Sequence, residues 1–157
     1  MKPNAVKILV AAFIVMVSGL GQVARAEEAP NCLKDVKAGE WVLYKLQGGM
    51  KMKQTVTAVT DKEVTLSTQV MMNDKAMGPA QETRIPREAG EDKKKEEGVK
   101  PKISSATVKV KGKEIKCVVI EVKNAKTYLS NEIPVTGMVK SEADGKVAME
   151  LVDFGTE

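Results

Sequence analysis

Apolar and polar residues alternate along two runs, Met50 to Val59 and Glu63 to Met72, on either side of Thr60-Asp61-Lys62. Folding the chain at that triplet sets Ala58 opposite Val64, Val56 opposite Leu66, Met52 opposite Val70 and Met50 opposite Met72. Residues directly opposite in an antiparallel pair share a face, so this one register makes all four pairs apolar. Lys51, Lys53, Thr55, Thr57, Glu63, Thr65, Ser67 and Gln69 fall on the other face. The pattern predicts a half-buried hairpin.

The same period of two recurs on both sides of it. Glu40 to Leu46 reads as a first strand, with Val42, Tyr44 and Leu46 on one face, and Gly48-Gly49 supplies the turn that follows. Asn73-Asp74 and Gly78-Pro79 mark a loop, and Gln81 to Ile85 a short strand closed by Pro86. Thr107 to Lys111 and Glu114 to Val122 flank Gly112-Lys113, which suits a type II′ turn and pairs Val110 with Ile115 and Val108 with Cys117. Val118 to Val122 is apolar on both faces, predicting a central, doubly covered strand. Lys123 to Lys126 turns the chain into Thr127 to Asn131. Gly137 to Glu142 and Val147 to Phe154 flank Asp144-Gly145, a type I′ signal, with Met138, Val147, Met149 and Leu151 expected on the buried face. No segment over ten residues after the N-terminal run shows a 3.6-residue apolar period. The expected fold is all-β: a curved antiparallel meander of about eight strands, as a half-barrel or a barrel-like sheet.

The N-terminus needs separate treatment. Lys2 and Lys7 precede ten unbroken apolar residues, Ile8 to Val17, and Ala24-Arg25-Ala26 forms a small-x-small site. This is the pattern of a secretory signal peptide, so 1–26 is read as a signal cleaved after Ala26 and 27–157 as a single β domain, periplasmic or secreted. The apolar run is too short to span a bilayer, and none follows it, so no transmembrane segment is expected in the mature chain. Cleavage leaves 22 Lys and Arg against 21 Asp and Glu, a net +1. With five aromatics in the whole chain, nothing supports nucleic-acid binding. Residues 86–102 are mostly charged, in mixed sign, and contain too little apolar surface to order themselves. They are expected to form a charged mobile loop between two halves of a sheet.

Chemistry-bearing residues are few. The chain has no histidine, which removes the commonest general base and zinc ligand. It has no Gly-x-Ser-x-Gly elbow, phosphate loop or Cys-x-x-Cys. A non-enzymatic role without cofactor or metal is therefore expected. Two cysteines, Cys32 and Cys117, are predicted to bridge in an oxidising compartment, which by loop closure is worth on the order of 4 kcal/mol. Methionine is the unusual component: Met50, Met52, Met71, Met72, Met77, Met138 and Met149 follow the signal. Thioethers select Cu(I), but copper sites usually recruit histidine or cysteine too, and an adaptable apolar lining is the plainer use of methionine.

Three segments carry a resemblance: Ala38-Gly39-Glu40-Trp41-Val42-Leu43-Tyr44-Lys45, then Thr127 to Pro134 with Gly137-Met138-Val139-Lys140, and the closing Met149 to Gly155. Together they resemble a family of uncharacterised small exported bacterial β proteins, from which no activity transfers. More distantly, a strand, Leu-Ser-x-x-x-Pro, a strand, an Asp-Gly turn and a final strand are similar to lipoprotein-carrier half-barrels of the Lol type. The chain departs from these in lacking the long N-terminal helix and the helices that plug the cavity. That resemblance implies a sheet wrapped around an apolar cavity.

The functional expectation is an exported binding module holding an apolar small molecule or lipid-like ligand on a concave face lined by Met50, Met52, Val56, Leu66, Val70 and Met72. The alternative is a structural or interaction module of the cell envelope, in which the charged loop or an exposed sheet edge meets another envelope protein.

Overall fold

A computed structural model describes residues 33–87 and 100–157. The signal segment, Cys32 and all but the ends of the 86–102 loop lie outside the described residues. The described chain is all-β, as the alternation predicts, and its ten strands form one open, curved, antiparallel sheet. They are β1 (Glu40–Leu46), β2 (Met50–Val59), β3 (Glu63–Met72), β4 (Lys75–Ala76), β5 (Gln81–Pro86), β6 (Lys102–Val110), β7 (Lys113–Val122), β8 (Ala125–Leu129), β9 (Met138–Ala143) and β10 (Lys146–Thr156). No described helix is long and apolar enough to cross a membrane.

The spatial order is β4-β3-β2-β1-β10-β9-β8-β7-β6, with β5 beside β4 on the outer edge of β3. Two meanders are thus joined by the pairing of the first strand with the last. Register shifts in the β1–β10, β2–β3, β8–β9 and β9–β10 ladders add local twist and bend the sheet. The bend brings the inner faces of both meanders into one hydrophobic cluster. Val42, Tyr44, Val56, Val64 and Leu66 come from the first half, and Leu129, Met138, Met149 and Leu151 from the second. Tyr44 spans the seam: its hydroxyl donates to the Met138 carbonyl at 2.9 Å and lies 3.0 Å from Thr136 Oγ1.

Several expectations are corrected by this geometry. Met50–Met72, Met52–Val70 and Val56–Leu66 pair as predicted, but a bulge after Val56 sets Ala58 opposite Thr65 and Val59 opposite Val64. The extra residue turns the small Ala58 to solvent and lets the larger Val59 pack against the core. The β6–β7 turn is Lys111-Gly112, both with positive φ (49° and 79°), so it is type I′ rather than II′. Val108 therefore faces Ile115, and Cys117 faces Ala106. Because the slip preserves parity, Cys117 stays on the inward face.

The turn after β7 is only Lys123-Asn124, tighter than expected, since Val122 already pairs with Ala125. Residues Asp144-Gly145 do form the expected turn, with φ of 51° and 73°. A bulge between Val147 and Met149 then leaves Val147 41% exposed, while Met138, Met149 and Leu151 are buried. The predicted central position of β7 also fails. It is next to the edge, between β6 and β8, yet the successive residues Val119 and Ile120, on opposite faces, are both buried. The predicted loop ends inside the sheet, with Pro86 closing β5 and Lys102 opening β6.

Candidate functional site

The residues expected to line a ligand face are brought together, but against one another. Met52, Val56, Leu66 and Val70 are buried in the core cluster, and Met50 and Met72 sit half-buried at the open end of the β2–β3 hairpin. Side chains with 1% (Val56, Leu66) or 3% (Met52) of their surface accessible border no space that holds even water. Between these apolar rows lies a polar one, which the apolar pairing alone passes over. Gln54 pairs with Thr68, and both are buried. The Gln54 Oε1 has no hydrogen-bond partner among the described residues.

Open space lies at the other end of the molecule. Strand β8 stops at Leu129, where Ser130 N–H bonds to the Gly137 carbonyl at 2.8 Å and the chain loops through 130–137. Strand β7 pairs with β8 only over Val118 to Val122, so Lys113 to Cys117 run on without a neighbour on that side. The result is a groove of about 530 Å³, with Ser105, Ala106 and Thr107 of β6, Lys116 to Val118 of β7, and Leu129 to Glu132 as its walls. A second hollow of about 400 Å³ lies beyond the Asn131–Glu132 ridge, against Val36, Ile133 and Phe154.

Glu132 fixes that ridge. Its carboxylate is 3.0 Å from Lys113 Nζ. The Lys113 ammonium, through hydrogen bond and charge, holds the carboxyl below its ordinary value. Beneath it the Cys117 thiol, 3.5 Å from the Ile115 carbonyl, is pushed above its ordinary value by burial and then by the Glu132 charge. Nucleophilic cysteines need the reverse environment, one that favours thiolate. The loop is anchored by buried Ile133 and Val135. Val135 takes φ of 70°, a left-handed conformation that a β-branched residue adopts only under strain.

The sheet has two free borders of different character. The β3 side is covered by the two-residue β4 and by β5, which ends in Pro86. On the far side β6 offers nine residues with no proline among them, and no described strand pairs with its outer edge.

Ion pairs lie along β9 and between the β6–β7 turn and β10. Lys140 Nζ lies 2.5 Å from Glu142 Oε1 and 5.2 Å from the Tyr128 ring centre, raising the lysine and lowering the glutamate from their ordinary values through their mutual hydrogen bond. Lys111, at the β6–β7 turn, reaches Asp153 of β10 at 2.5 Å and lowers its carboxyl in the same way. Among the described residues, no group of three His, Cys, Asp or Glu side chains could hold a metal ion. Comparison of the chain with protein-family models, curated proteins and solved structures finds no match.

Proposed function

We propose that this protein is a non-enzymatic interaction module of the cell envelope that engages another protein through the β6 edge and the groove beside it. The observation that supports this most is the contrast between the two ends of the molecule. The inner face of β2 and β3 is filled by its own side chains, whereas β6 presents unpaired main chain next to open space. An unpaired edge is a template for strand addition. An apolar ligand on the concave face would have to displace Met52, Val56, Leu66 and Val70. The reading includes export, with cleavage after Ala26 and a Cys32–Cys117 bridge; intact mass of the secreted chain under non-reducing conditions tests both.

Photo-crosslinking in cells tests the interaction itself. A crosslinker at Ser104 or Thr107 on β6 is expected to give discrete adducts, and one at Asp61 in the β2–β3 turn none. Absence of adducts from β6 sinks the proposal.

A further inference from the structure

The β6 edge also carries information about what it takes. A two-residue turn makes its flanking pair, Val110 and Lys113, exchange both main-chain bonds. The even-numbered residues from 102 to 110 therefore bond to β7. Ile103, Ser105, Thr107 and Lys109 point their N–H and C=O groups away from the sheet.

Edge strands are normally guarded by a charge or a proline near the centre. This one is small and uncharged across its middle, Ser104-Ser105-Ala106-Thr107, and its lysines stand at the two ends, Lys102 and Lys109. They bracket the edge and do not block it. Residues 100–122 hold six exposed lysines against two glutamates. Lys111 and Lys113 are paired with Asp153 and Glu132, and Lys109 lies 4.0 Å from Glu114 in a solvent-exposed pair, so a positive excess remains at Lys100, Lys102 and Lys116. Such a field repels a second copy of the same edge and attracts an anionic strand. The groove is lined on the β6 side by Ser105, Ala106 and Thr107 and runs across β7 to Leu129.

We infer, on the strength of the interaction reading above, that the β6 edge binds an extended acidic segment of a partner protein as an added antiparallel strand. Its acidic residues meet Lys102 and Lys109 at the two ends of the edge, and an apolar residue between them enters the groove. The lysines that select this partner also keep the protein from pairing with itself.

Amide exchange on the mature protein tests it, with a peptide of alternating valine and threonine ended by glutamates as the probe. The expected result is new protection at Ile103, Ser105, Thr107 and Lys109, with the already bonded Ser104, Ala106 and Val108 unchanged. Thr107→Pro, which removes one outward N–H, is expected to weaken binding at least about tenfold. Lys102→Gln with Lys109→Gln is expected to weaken it roughly fivefold and flatten its salt dependence.

Equal binding of a lysine-ended peptide overturns the acidic assignment, and protection without alternation overturns strand addition. Protection of the odd-numbered amides with rising protein concentration alone would make a second copy the occupant and overturn the proposal. If β6 crosslinks form in cells while the acidic probe leaves β6 unprotected, the partner chemistry falls and the interaction reading stands.

Discussion

At the residue scale, three positions are held in environments that their side chains alone do not forecast. Gly155 lies across from Trp41, the sole tryptophan, whose ring has Lys53 Nζ 5.0 Å from its centre. A Cβ on Gly155 would stand 3.2 Å from that ring. Gly155→Ala is therefore expected to cost about 1 kcal/mol and shift the Trp41 emission, measured by fluorescence-monitored unfolding. Gln54 buries an amide oxygen with no described partner, so its desolvation is uncompensated. Gln54→Leu should raise stability by about 1 kcal/mol in urea unfolding, whereas Leu66→Ala, a few residues away on the same face, should lower it by roughly 2–5 kcal/mol. At Val135 a buried side chain opposes a strained backbone. Gly accepts a positive φ and Ala does not, so Val135→Gly is expected to be no less stable than Val135→Ala despite having lost one more carbon. Ordinary backbone would reverse that order.

At the element scale, the decisive features are where ladders stop. The groove exists because β7 outruns β8, and the Lys113–Glu132 ion pair ties the ridge to the bare part of β7. In the reduced protein the Cys117 thiol should react slowly with iodoacetamide at pH 8, since burial and the Glu132 charge both disfavour thiolate. Glu132→Gln removes the second of these causes and should speed alkylation several-fold. An unchanged rate in that variant would mean that burial alone governs access. Turn chemistry was readable from sequence where both central residues announced it, as at Asp144-Gly145. It misled at Lys111-Gly112, because glycine fits the second position of a type I′ turn as well as the first position of a type II′ turn, and only packing chooses between them.

At the scale of the whole molecule, the β1–β10 seam joins the halves and Lys111–Asp153 ties the far hairpin back to it. Asp153, Glu142 and Glu132 all have carboxyls held below their ordinary values. A depressed carboxyl contributes stability above its ordinary value, and that contribution is lost as pH falls through the folded value. Thermal stability should therefore decline as the pH falls below about 4. Asp153→Asn should lower stability at pH 7 by less than about 1 kcal/mol and make the acid decline shallower. Lys140 has the opposite sign. Its raised value keeps the Glu142 pair intact below the ordinary lysine range, and the contribution is lost as pH rises through the folded value. A profile insensitive to Asp153→Asn would show that the Lys111 contact does not hold the hairpin.

The sequence alone determined the fold class, the strand alternation, the extent of β1 and the inner register of β2 with β3, because a period of two with one apolar face admits few alternatives. It could not reveal that β1 pairs with β10, since that contact joins residues more than a hundred positions apart and rests on the curvature of the whole sheet. The same curvature packed Met52, Val56, Leu66 and Val70 into the core, and the groove opened where β8 stops short of β7. Bulges at Val56/Ala58 and Val147/Met149 change local parity without any marker in composition, which is why Ala58 and Val147 were expected inside. The β6 edge was invisible for a related reason. Whether a strand is central or outermost depends on which strands bond to it, and that is settled only when the two meanders meet.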